Sequence, residues 1–143
     1  MIWKNQPTLE LLNASGVNTL VEHLNIQFVE FGEDYLVATM PVDHRTVQPV
    51  RLLHGGASVA LAETMGSVAS VFCLENPAQQ TIVGVEINAN HLRSAREGDV
   101  VRAVVKPIKV GRSLHVWEIN IFRSDEQLIC VSRITIMVVD RRA

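Results

Sequence analysis

The sequence predicts an α+β architecture in which one long buried helix is wrapped by five or six antiparallel strands. Three observations carry this. The run from Leu52 to Phe72 is apolar or small nearly all round, the mark of a helix covered on most sides. Two strand-like runs precede it and four follow it, each bounded by turn residues. Short turns join consecutive runs, and strands joined that way pair antiparallel, which with one helix makes an α+β layer arrangement.

The elements follow in order. Thr8 can cap a short helix through Leu9, Leu11 and Leu12 that Gly16 ends, and Asn18 can cap a second short turn ending near His23. Leu24 to Phe31 reads as a strand, Gly32-Glu33-Asp34 as a tight turn, and Tyr35 to Met40 as the hairpin partner. Pro41 to Pro49 is a loop that carries Asp43, His44, Arg45 and Gln48. The long helix runs from Gly56 to about Leu74. Glu75 to Gln80 is polar, holds Pro77 and reads as a loop. Four strands follow, at Thr81 to Asn90, Asp99 to Lys109, Arg112 to Arg123 and Gln127 to Val139, the last two joined through Ser124-Asp125-Glu126. In the first of them Val83, Val85, Ile87 and Ala89 alternate with Gly84, Glu86 and Asn88. In the second, Val101, Ala103 and Val105 alternate with Arg102, Val104 and Lys106. In the last, Ile134, Ile136 and Val138 alternate with Thr135, Met137 and Val139, so both faces are apolar in places and a second subunit is expected to cover one. With no linker, repeat or low-complexity stretch, residues 1–143 read as one domain.

Bulk properties exclude several classes. The formal net charge of −2 gives no general attraction to nucleic acid or to an anionic membrane, so neither is expected as a partner. Glu63 cuts the longest apolar stretch, and Met1-Ile2-Trp3-Lys4-Asn5 lacks the apolar core of a signal peptide. Cys73 and Cys130 lie in apolar runs without metal-ligand spacing. A cytoplasmic protein without a bound metal is the expectation.

The chemistry concentrates on the long helix. Glu63 shares a narrow face with Ser67 and Ser70, and a lone acid in a buried helix carries a desolvation cost unless it is paired or used. His54-Gly55-Gly56 stands just ahead of the helix. Glycines allow close backbone approach, and the first N–H groups of a helix lack partners within it, which suits an oxygen gaining negative charge. Bland readings compete with these: Glu63 as a buried structural acid, His54 as a loop-closing residue, the glycines as a helix cap.

The spacing then resembles a known family. Gln48-Pro49, Leu53-His54-Gly55-Gly56-Ala57-Ser58 and Ala62-Glu63 place a Gln six residues before the His and a Glu nine after it. The likeness extends through Met1-Ile2-Trp3-Lys4, Ala38-Thr39-Met40-Pro41-Val42-Asp43, Val83-Gly84-Val85-Glu86-Ile87-Asn88-Ala89-Asn90-His91 and Lys106-Pro107. In these residues the chain resembles the hotdog-fold acyl-CoA thioesterases of the aroyl-CoA branch. Many members have Phe-Gly where this chain has Val50-Arg51, and the loop at Glu75 to Gln80 is longer.

The resemblance implies a sheet wrapped about the helix, a dimer with a continuous sheet that pairs again into a homotetramer, and active sites at the dimer interface. Glu63 and Ser67 of one chain would face Gln48, His54 and Gly55 of the other. Glu63 would attack the thioester or activate water, the Gly55 N–H would take up the developing oxyanion, Gln48 would give a supporting polar contact, and His54 and Ser67 would position groups. Coenzyme A would be part of the substrate, and no further cofactor is implied. Its phosphates would meet His91-Leu92-Arg93-Ser94 and Lys109-Val110-Gly111-Arg112-Ser113, with Gly84 also on the substrate. For each of these basic turn residues a plain solvated charge is the competing reading. Hydrolysis of a misacylated acyl or aryl carrier protein and a non-catalytic acyl-CoA-binding module are the alternative functions.

Overall fold

The computed structural model describes residues 1–142. Its elements are α1 (Leu9–Ala14), α2 (Leu20–His23), β1 (Gln27–Phe31), β2 (Leu36–Pro41), α3 (Gly55–Phe72), β3 (Gln80–His91), β4 (Val100–Val110), β5 (Leu114–Phe122) and β6 (Leu128–Asp140). The strands form one six-stranded antiparallel sheet in the order β1-β2-β4-β5-β6-β3, with α3 packed across its inner face. This is the expected hotdog arrangement. The pairings of β2 with β4 and β3 with β6 join strands that are not consecutive, so the hairpin rule alone could not give them.

The core follows from period-two strands meeting a helix stripe. Val101, Ala103 and Val105 of β4, Trp117, Ile119 and Ile121 of β5, and Ile134 and Ile136 of β6 point inward and are fully or almost fully buried. They meet Ser58, Leu61, Ala62, Met65, Gly66, Ala69 and Ser70, a single stripe at helical spacing. Gly66 is required there, because a Cβ would sit 2.4 Å from the Ile134 side chain. The amino-terminal segment closes the far end of α3. Lys4 and Asn5 donate backbone N–H groups to the Phe72 carbonyl, the Asn5 amide donates to the Leu74 carbonyl, and Trp3 stacks on Trp117. No helix among the described residues is long and apolar enough to cross a membrane.

Several expectations are corrected. The second turn is capped by Thr19, whose hydroxyl accepts the Val21 N–H; Asn18 lies just outside with φ +60° and donates its N–H to Glu22. β1 begins at Gln27, because Leu24 closes α2 and Asn25 takes a left-handed conformation with φ +53°. The long helix begins one residue early, since the His54 side chain accepts the Gly56 N–H and acts as its cap. A bulge between Gly84 and Glu86 reverses the alternation of β3. Val83 and Val85 therefore point outward, 44% and 56% exposed, while Ile82, Ile87 and Ala89 pack on the core.

The helix also departs from all-round burial. One stripe is covered, while Val59, Ala60, Thr64, Ser67 and Val68 are half-buried and Glu63 is exposed. Within a single chain Glu63 is therefore not the buried acid that the sequence suggests. The two sheet edges differ as well. At β1, the Asn13 side chain accepts the Phe28 N–H and donates to its carbonyl, occupying both main-chain groups. At the opposite edge lies β3, twelve residues long and largely exposed.

Candidate active site

The cap geometry defines the first half of the site. The Gly56 N–H donates to His54 Nδ1 at 2.7 Å. A ring nitrogen that accepts is unprotonated, so the neutral ring carries its proton on Nε2, which is left to donate outward. Among the described residues no acceptor takes the Gly55 N–H, which stands at the positive end of an 18-residue helix. Gly55 opens onto a cleft of about 460 Å³ that it shares with Gln48, Ser58, His91, Leu92, Arg93 and Ser94. His91 covers the glycine closely: a Cβ on Gly55 would lie 2.9 Å from His91 Nε2.

Gln48 is held by its own turn. Its amide oxygen accepts the Val50 N–H, and the Arg51 N–H closes the turn onto the Gln48 carbonyl. A backbone donor can only meet the oxygen, so the amide nitrogen remains available as a donor. The turn also explains the Phe-Gly departure. Arg51 has φ +64°, a conformation that costs an ordinary residue about 1–2 kcal/mol and glycine almost nothing. Arg51 is drawn aside by Glu97, with Nε 2.8 Å from Oε2, and neither Val50 nor Arg51 lines the cleft.

The second half lies apart. Glu63 is eight residues along the helix from Gly55, about 12 Å at 1.5 Å per residue. It borders a separate depression of about 160 Å³ with Gly84, Glu86 and Ile87. Gly84 makes room for it, since a Cβ there would lie 3.1 Å from Glu63 Oε1. Ser67 lines neither depression. Ser70 leaves the Glu63 group altogether: it belongs to the buried stripe and its hydroxyl accepts the Trp117 indole N–H at 2.7 Å.

The basic segments fall into two groups. His91, the last residue of β3, and Leu92-Arg93-Ser94 just after it line the Gly55 cleft. Lys109-Val110-Gly111-Arg112-Ser113 turns between β4 and β5, beside a cavity of about 340 Å³ that also touches Lys4, Asn76, Gln80 and His115. Eleven steps of about 3.3 Å along β3 put its two ends about 36 Å apart. Among the described residues no carboxylate pairs with Arg93, Lys109 or Arg112, whereas Arg102 is paired with Glu126 and stacked on Phe122. No group of His, Cys, Asp and Glu side chains suited to a metal ion occurs among the described residues. Asp43, held by Arg45 to about pKa 2, serves the loop ahead of Gln48.

Sequence reasoning missed Ser58, buried at the cleft floor, and Ile129, contributed by β6 from far along the chain. It also missed His115. This ring is 2% exposed and joins Ser70 to Gly111, at 3.0 Å and 3.1 Å. Burial pushes the His115 imidazole below the ordinary histidine range, with the Gly111 carbonyl working against this.

Residues 51–130 match the Thioesterase superfamily. The chain belongs to that family. It is 56% identical to the 1,4-dihydroxy-2-naphthoyl-CoA hydrolase of Escherichia coli over 94% of this chain and 97% of the relative. It is 50% identical to the proofreading thioesterase EntH of Cronobacter turicensis, over 96% of this chain and 98% of that one. The crystal structure of a thioesterase from Haemophilus influenzae superposes with a TM-score of 0.92 at 53% identity, covering 98% of this chain and 96% of the other. This thioesterase is therefore a thioester hydrolase with the hotdog fold.

Proposed function

We propose that this protein hydrolyses acyl-CoA thioesters, with aromatic acyl groups preferred, at a site shared between two chains. The unpartnered Gly55 N–H at the start of α3, in a cleft beside the donating face of Gln48, is the observation that carries the reading. A thioester carbonyl oxygen seated there gains a preorganised donor as it becomes an oxyanion. Glu63 drives the attack, either with its own carboxylate oxygen, giving an anhydride that water then opens, or by deprotonating a water molecule whose oxygen attacks the carbonyl carbon. In both routes the C–S bond breaks, CoA leaves as the thiol and the acid is released.

One chain holds its own Glu63 away from its own Gly55, and the open β3 edge offers the remedy. Antiparallel pairing of β3 with its copy about a two-fold axis continues the sheet and covers the half-exposed face of α3. It also brings the start of one β3 beside the end of the other. The Lys109–Ser113 turn of one chain then approaches His91–Ser94 of its partner, two unpaired basic groups for one coenzyme A. Pairing of dimers into a tetramer remains part of the reading. The outer sheet face carries Val104, Val116 and Phe122 among Arg102, Lys106 and Glu118. The buried, unbridged Cys73 and Cys130 suit a reducing cytoplasm.

The aromatic preference rests on room beside Glu63. Ala60 and Ser67 are small and half-buried on the face of α3 near Glu63, and they would leave room for a flat ring once a partner chain covers that face. The 1,4-dihydroxy-2-naphthoyl-CoA hydrolase supports the same substrate class. The proofreading thioesterase, nearly as similar, supports a second reading in which the acyl group is carried by a protein. Side-by-side kcat/KM values separate them. Benzoyl-CoA is expected to exceed acetyl-CoA by about tenfold or more, the worth of one well-packed ring, with medium-chain acyl-CoA close behind. Acetyl-CoA equal to benzoyl-CoA would contradict the pocket, and a benzoyl carrier protein far better than benzoyl-CoA would favour the second reading.

A further inference from the structure

The buried chain of polar groups behind the β4–β5 turn has a determined direction. The Gly111 carbonyl can only accept, so His115 Nε2, 3.1 Å away, carries the proton. Nδ1 is then an acceptor, and the Ser70 hydroxyl at 3.0 Å donates to it. The Trp117 indole N–H, a donor only, enters the other side of Ser70 Oγ at 2.7 Å. Each group has one role left once its neighbour is fixed, and no buried side-chain polar atom among the described residues lacks a partner. At one end of this relay is the turn with Lys109, Arg112 and Ser113. At the other is Ser70 on α3, three residues beyond Ser67. The strand end next to the turn is held from the other side by the Val138 N–H, which donates to the Ser113 carbonyl.

Such an arrangement exceeds what a hairpin needs. Gly111 already donates its own N–H to the Leu114 carbonyl, which closes the turn. The additional grip on its carbonyl, made by a ring that loses nearly all its water contact, fixes the turn relative to the helix.

We propose that His115 is a positioning residue for the coenzyme A site, its Nε2–H locking the Gly111 carbonyl so that the Lys109–Ser113 turn keeps a fixed place relative to the helix that carries Glu63. The proposal rests on the reading of that turn as a coenzyme A contact. His115 touches no reacting atom. It acts on ground-state and transition-state binding of the nucleotide alike, so it moves KM and leaves kcat nearly alone.

Two substitutions separate the ends of the ring. His115→Asn reproduces a group near Nδ1 and does not reach Gly111. His115→Gln reproduces a donor near Nε2. Ser70→Ala keeps the ring and releases its tautomer. Each full-length variant is assayed with benzoyl-CoA and with S-benzoyl-N-acetylcysteamine, which lacks the nucleotide, alongside Arg112→Ala and with Tm recorded.

His115→Asn is expected to raise KM for benzoyl-CoA about fivefold, the loss of one hydrogen bond, with kcat within about twofold and no change for the truncated thioester. His115→Gln should remain within about twofold of wild type, and Ser70→Ala should raise the same KM by less than His115→Asn. Arg112→Ala should also raise KM for benzoyl-CoA alone. Unchanged KM in His115→Asn with a raised KM in Arg112→Ala would overturn the positioning role and leave the coenzyme A reading standing. Unchanged KM in Arg112→Ala would remove the reading and the proposal together. Equal effects of the Asn and Gln variants on both substrates, tracking Tm, would make His115 a packing residue only. If neither folds, Ser70→Ala decides, and no rise in its KM for benzoyl-CoA overturns the proposal.

Discussion

Glu63→Gln is expected to lower kcat for hydrolysis by about 10²–10⁴-fold, the usual contribution of a group that transfers a proton in the rate-determining step. The amide keeps the shape of the carboxylate and removes both its charge and its basicity. Stability should hardly move. Among the described residues the Glu63 side chain makes no ion pair or hydrogen bond within its own chain, so the isosteric amide removes no contact there and Tm is expected to stay close to wild type. Loss of activity without loss of Tm separates a chemical role from a structural one. Turnover near wild type in Glu63→Gln or Glu63→Ala would remove the carboxylate from the mechanism.

Gly55→Pro tests the other half by deleting one hydrogen. Proline at the first helical position sacrifices only an N–H that has no partner among the described residues, and its fixed φ suits a helix start. His54 ahead of it is extended, at φ −68° and ψ 131°, as the residue before a proline should be. A Cβ at this position meets the His91 ring, and that ring is exposed and can swing away. Gly55→Ala adds the same Cβ and keeps the N–H, so it serves as the control. The proline variant is expected to lose about 10²–10³-fold in kcat while the alanine variant keeps most of its activity. Equal losses in the two would mean that the Cβ, and not the missing donor, is responsible.

Both variants bear on how the sequence encodes the site. The helix, the hairpin of β1 and β2 and the alternation of β4 were legible, because their apolar residues recur at the spacing of the element. His54-Gly55-Gly56 and Glu63 stood out because glycines and an acid interrupt that pattern. What was hidden depends on distance in space. The bulge at Val85 leaves no mark on an alternating run, yet it turns Gly84 inward beneath Glu63. Ser70 shares the Glu63 face by spacing, and packing of β5 against α3 takes it into the core instead. His115 sits on a strand between ordinary residues, and nothing local announces that its ring reaches two segments at once. All-round burial of the helix was misjudged for the same reason. The sequence carries apolar residues on more than one face, and a single chain covers one stripe. Arg51 is the opposite case, since its departure from glycine could be read but its cost could not: only the backbone reveals φ +64°.

Each proposed active site takes Glu63 from one chain and Gly55 from another. This sharing is tested most directly by co-assembling two inactive variants, Glu63→Gln and Gly55→Pro, in equal amounts. With shared sites, random pairing leaves one site in four with both an intact Glu63 and an intact Gly55, so about a quarter of wild-type activity should return. If each chain instead builds its site alone, every site carries one lesion, and the mixture will stay at the residual activity of its parents.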